Sequence, residues 1–81
     1  MSVKILFFAN LRDRAGTKSL EIEIPEGTTV QGLKNQLARD YPNLKQSMQA
    51  VLISINREYA FDEAVVVDGS EVAMFPPVSG G

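Results

Sequence analysis

Cysteine, histidine and tryptophan are all absent from the 81 residues. Without cysteine there is no disulfide, no thiolate nucleophile and no cysteine-based zinc site. Without histidine the commonest general base near neutral pH is missing. Intrinsic catalysis would have to rest on carboxylates, lysines, hydroxyls and two tyrosines. These residues show no paired-carboxylate, P-loop or triad pattern, and no metal site is expected. No apolar run approaches the roughly 20 residues that a membrane span needs. Val3–Ala9 is short, and Arg12, Asp13 and Arg14 follow it without a small-residue cleavage site. The segment is therefore not a signal peptide, and a cytoplasmic protein without a membrane partner is expected.

The charged fraction of 22 % is ordinary for a soluble protein, but the net charge is small. The net charge of -2 offers no basic footprint for nucleic acid. Its distribution is uneven. Residues 1–56 carry seven basic and five acidic side chains, whereas residues 57–81 set Arg57 against Glu58, Asp62, Glu63, Asp68 and Glu71. The acidic C-terminal third either steers toward a basic partner or serves solubility alone.

What is present suits one small domain. A chain of this length buries roughly 60 % of the surface that it exposes when unfolded, and the 44 % hydrophobic fraction is enough for a single thin core. Val3–Ala9 is rich in β-branched and aromatic residues and predicts a strand. Arg12–Thr17 reads as a polar connection broken at Gly16. Leu20, Ile22 and Ile24 alternate with Glu21 and Glu23, which predicts a half-buried second strand and an N-terminal hairpin. Pro25-Glu26-Gly27 stops it. Thr28 with Gln31 three residues later predicts a capping box, and Val30, Leu33, Leu37, Ala38 and Tyr41 keep helical spacing along one buried face. Pro42 ends that helix. Lys34, Arg39 and Lys45 read as surface charges. A further helical turn is expected in Asn43–Gln49, a third strand in Val51–Ile55, a turn at Asn56–Glu58 and a short fourth strand in Tyr59–Phe61. Asp68-Gly69 is a turn signal, and Glu71–Phe75 is the last strand, closed by Pro76-Pro77.

The predicted order is β-β-α-β-(β)-β, an α+β chain. One helix cannot cover both faces of a sheet, so a mixed sheet with one main helix packed on one face is expected. By fold-level analogy this is the order of the ubiquitin-like β-grasp, with first and last strands adjacent and parallel. The β-grasp domain is expected to span 1–75 and an extended C-terminal tail 76–81. Strand alternation then places Val3, Ile5, Phe7, Val72 and Met74 toward the helix, and Leu6, Phe8, Ala73 and Phe75 away from it. Such an apolar patch is either a docking surface or is covered by a loop.

The tail Phe75-Pro76-Pro77-Val78-Ser79-Gly80-Gly81 is the most informative segment. At background glycine usage a terminal Gly-Gly arises by chance in roughly 0.5 % of chains. The prolines hold the exit extended. Six residues from Pro76 span at most roughly 20 Å. Glycine has no Cβ and passes through a channel too narrow for other residues. The reactive group is then the Gly81 carboxylate.

With Leu6-Phe7-Phe8-Ala9 and the following Arg12-Asp13, this ending resembles the small, sulfur-carrying subunits of molybdopterin synthase, the MoaD/ThiS group. The resemblance covers essentially the whole chain. It implies that an adenylating enzyme similar to ubiquitin-activating enzymes uses ATP to adenylate Gly81, beside Gly80. Sulfur from a persulfide donor then replaces AMP and leaves a thiocarboxylate. It further implies that the tail enters the large synthase subunit, in a heterotetramer, and gives its sulfur to cyclic pyranopterin monophosphate to build the dithiolene. Leu6, Phe8, Phe75, Pro76, Pro77, Val78 and Ser79 would meet that partner, as would Tyr59, which stands where the family has an apolar interface residue. The chain itself would bind no cofactor and would supply no catalytic base. The same terminal Gly-Gly occurs in thiazole-synthesis carriers and in ubiquitin-like modifiers. A modifier, a carrier for thiazole or thiolated-tRNA synthesis, and a binding module with an inert tail therefore remain open.

Overall fold

The β-branched and aromatic residues of the first segment form β1 (Ser2–Phe7), with Val3, Ile5 and Phe7 buried on one side. The computed structural model describes residues 1–77. β2 (Ser19–Glu23) pairs antiparallel with β1 through Val3–Ile22 and Ile5–Leu20. β5 (Glu71–Phe75) lies on the other side of β1, parallel to it, with Val72 beside Ile5 and Met74 beside Phe7. β3 (Leu52–Ile55) joins β5 antiparallel, and β4 (Glu58–Tyr59) forms the far edge, giving the order β2-β1-β5-β3-β4. First and last strands thus form the parallel centre of a mixed sheet, as in the ubiquitin-like β-grasp.

One main helix, α2 (Val30–Asp40), covers a single face of this sheet. Val30, Leu33 and Leu37 meet Val3, Ile5, Phe7, Ile53, Val72 and Met74 in one core. Leu44 and Met48 close its end from two short 3-10 turns, Pro42–Leu44 and Ser47–Gln49, in the region expected to be helical.

Four details depart from the sequence expectations. The polar connection after β1 contains a short helix, α1 (Asn10–Ala15), anchored by buried Leu11 and closed by Gly16 at φ 75°. The N-cap of α2 is Thr29, whose hydroxyl oxygen accepts from the Gly32 amide at 3.1 Å. The Thr28 hydroxyl is already engaged as a donor to the Pro25 carbonyl at 2.6 Å, and Gln31 reaches forward to Asn35 at 2.9 Å, so the expected capping box does not form. Lys34 is buried and pairs with Asp62 at 2.6 Å, 28 positions away, instead of standing in solvent. The fourth strand is Glu58–Tyr59 and does not reach Phe61. The two-residue turn before it holds Asn56 and Arg57 at φ 51° and 72°, the geometry of a type I′ hairpin, whose right-handed twist matches the strands.

Candidate functional site

The face of the sheet turned away from α2 is apolar where a solvent-facing sheet is ordinarily polar. Register explains how. Leu6 stands beside Ala73, Ala73 opposite Ser54, and Ser54 opposite Tyr59, so one row crosses four strands. One step toward the end of β5, Leu52 lies opposite Phe75. Phe8 follows β1 and stays in line because its amide donates to the Met74 carbonyl at 3.1 Å. Its ring stacks on Phe75, centroids 4.7 Å apart and planes within 14°. Leu6, Phe8, Ser54, Arg57, Tyr59, Glu71, Ala73 and Phe75 line an open concavity of about 570 Å³.

α1 sets a cation against one of the lining rings. Ala9 turns the chain out of β1 at φ 53°, a left-handed conformation that costs an alanine energy. The turn lifts Arg12 over the Phe8 ring, 5.8 Å from its centroid, while the Arg12 Nε–H donates to the Phe7 carbonyl at 3.1 Å. The guanidinium is thereby held at the aromatic stack. Arg57 stands on the β4 side. At the start of the row Lys4 faces Glu71 across β1 and β5. A central apolar floor with charges at its margin is the composition of a protein-binding surface.

Leu6, Phe8, Tyr59 and Phe75, singled out from the sequence, therefore share one face. Leu6, Phe8 and Phe75 are half-buried, whereas Tyr59 is 79 % exposed. Past Phe75 the chain continues through half-buried Pro76 and exposed Pro77. Val78, Ser79, Gly80 and Gly81 lie outside the described residues. Leu52, Ser54 and Arg57 belong to the same face and were not singled out. Alternation in Val51-Leu52-Ile53-Ser54-Ile55 is the signal that marks Leu52 and Ser54 as facing away from the core.

Among the described residues no group of three or more potential metal ligands occurs, and no helix is long and apolar enough to cross a membrane. The described face offers mainly apolar contact area, with Arg57 and Glu71 at its margin.

The family model described as the ThiS family matches residues 5–81. The chain belongs to the ThiS family. Its ThiS-family match takes in both aromatic members of the stack and the Gly-Gly ending. Over 81 residues the chain is 35% identical to the molybdopterin synthase sulfur carrier subunit of Arabidopsis thaliana, covering 100% of this chain and 84% of that protein. A Pyrococcus furiosus chain assigned as subunit 1 of the molybdopterin converting factor superposes with TM-score 0.86 at 31% identity, covering 96% of this chain and 99% of that one. The modifier SAMP1 of Haloferax volcanii superposes with TM-score 0.86 at 27% identity, covering 100% of both chains. A chain from a complex of subunits 1 and 2 of the Helicobacter pylori molybdopterin-converting factor has the same fold, with TM-score 0.71 at 22% identity over 100% of both chains.

Proposed function

We infer that this chain is the sulfur-carrying subunit of a molybdopterin synthase. The observation that carries the reading is the 35% identity, across the whole of this chain, to a molybdopterin synthase sulfur carrier subunit, joined to a sheet whose open apolar face ends where Phe75-Pro76-Pro77 leads toward Gly-Gly. In this reading the partners supply the chemistry and the domain supplies address and reach. The Gly81 carboxylate attacks the α-phosphate of ATP on an adenylating enzyme, expels pyrophosphate and becomes an acyl-adenylate. The terminal sulfur of a persulfide donor displaces AMP to give an acyl disulfide, and a second thiol cleaves its S–S bond, ending as a disulfide with the donor thiol and releasing the thiocarboxylate. The outer face, through Leu6, Phe8, Tyr59 and Phe75, then docks on the large subunit of a heterotetramer. Pro76 and Pro77 hold the exit extended, and with Val78 and Ser79 they meet that partner. Gly80 and Gly81 pass the narrow approach to cyclic pyranopterin monophosphate, which receives the sulfur. The chain binds no cofactor of its own and works in the cytoplasm.

A second reading is favoured by the likeness to SAMP1. There Gly81 forms an amide with a lysine of a target protein. Intact-mass analysis of the protein from its native host distinguishes the two. A sulfur carrier shows the sulfur-for-oxygen mass increase, and a modifier appears as ladders on other proteins. The unmodified mass alone, with no ladders, overturns both.

A further inference from the structure

The outer face by itself is small for its proposed task. A standard specific interface takes roughly 20–30 residues a side, several times the cluster around Phe8 and Phe75. A partner seated there must continue over a margin of the sheet. On the β2 side the outward residues are Ser19, Glu21 and Glu23, which offer no apolar contact. On the β4 side Tyr59 leads directly to Phe61, which is 83 % exposed. Tyr59 lines the central concavity and also both grooves that flank Phe61.

Phe61 is held on a braced segment. The Ala60 amide donates to the Ile53 carbonyl at 2.9 Å, which ties one neighbour to the sheet. The other neighbour, Asp62, accepts from the Gln31 amide at 3.0 Å through its carbonyl and from buried Lys34 at 2.6 Å through its carboxylate. The Phe61 carbonyl accepts from the Ala64 amide at 3.0 Å. An aromatic ring on a backbone pinned at both sides loses little freedom when covered, which is the condition for a binding anchor. Exposed Glu58 and Glu63 stand beside it, and the Asp62 charge is already taken by Lys34.

We propose that the large-subunit partner wraps around the β4 edge and covers Phe61 with an apolar side chain, flanked by basic residues that meet Glu58 and Glu63. This extension rests on the docking reading of the outer face. It makes Phe61 an anchor that sets partner choice and the acidic pair a steering element.

The test is a binding titration of the full chain with its cognate large subunit, with Phe75→Ala as reference. Phe61→Ser should weaken binding by roughly tenfold or more, and Phe61→Tyr should retain most of it. Melting temperature should not move, since the ring buries little in the free chain. The double variant Glu58→Lys, Glu63→Lys should slow association several-fold at low salt, with the difference shrinking as salt rises. Wild-type affinity for Phe61→Ser and an unchanged association rate for the double variant, with Phe75→Ala weakened, would overturn the extension and leave the outer-face reading standing. Wild-type affinity for Phe75→Ala as well would overturn both.

Discussion

β5 shows two different surfaces within five residues. Toward α2 it presents Val72 and Met74, both fully buried. Away from α2 it presents Ala73 and Phe75, which share their face with Leu6, Phe8 and Leu52 and have no helix over them. Both surfaces are apolar, so hydropathy alone does not separate them. The difference lies in what covers each: the inner face is completed by the chain's own helix, the outer one by another molecule in the proposed function. Side chains on the two faces therefore answer to different measurements, the inner set to stability and the outer set to affinity.

The most drastic way to sharpen that contrast leaves both faces intact. Deleting Gly81, or extending the chain past it, should abolish sulfur transfer in a single-turnover conversion of the pterin precursor. The change displaces or blocks the carboxylate by about 3.5 Å, and reacting atoms must sit about 3–3.5 Å apart. A parallel titration with the large subunit should show nearly unchanged docking. Conversion at the normal rate by the truncated chain would end the carrier reading. Gly80→Ala and Gly81→Ala should fall between, because they keep the carboxylate and add one methyl group.

Next in size is Leu33→Ala on the inner face, expected to cost about 2–5 kcal/mol of stability in denaturant unfolding. Its outer-face counterpart, Phe75→Ala, should weaken association with the large subunit by about 2 kcal/mol or more, with a much smaller loss of folding stability. Equal losses of melting temperature for the two variants would break the comparison. The smallest effect is a gain. Ala9 sits at φ 53° and ψ -135°, a region open to glycine and strained for alanine. Ala9→Gly should stabilise the free domain by about 1 kcal/mol, raising its melting temperature by roughly 4–8 °C. A lower melting temperature would mean that the alanine methyl contributes more contact than its backbone costs.

The partition into two faces was legible because successive side chains of a strand point to opposite sides: Val3, Ile5 and Phe7 on one, Leu6 and Phe8 on the other. The pairing of first and last strands came from analogy of element order, since nothing in either strand names its neighbour. Details set by competition between adjacent groups were not legible. Thr28 and Thr29 are equivalent as caps, and the choice falls to Thr29 because Pro25 engages the Thr28 hydroxyl. α1 has one buried residue, Leu11, too little periodicity to signal a helix. Lys34 looks like any helix-surface lysine until the chain segment carrying Asp62 folds across it. Leu52 faces outward by the alternation of its own strand, but its place opposite Phe75 is set by the pairing of β3 with β5, which spacing does not give. For Tyr59 and the tail, the resemblance to known sulfur carriers supplied roles that spacing alone does not assign.

The stack of Phe8 on Phe75 joins residues separated by almost the whole chain. Closing a loop of that length costs roughly 4 kcal/mol beyond a constant, by the logarithmic dependence of closure entropy on length. The same closure makes the parallel centre of the sheet, so folding must reach across the sequence before either event is rewarded, which favours slow, all-or-none assembly. A partner that recognises the stacked pair thus reads out whether the chain has finished folding. In the proposed function a nascent or partly unfolded copy, lacking the pair, offers the large subunit a tail without its docking face, so sulfur delivery is confined to chains that have finished folding.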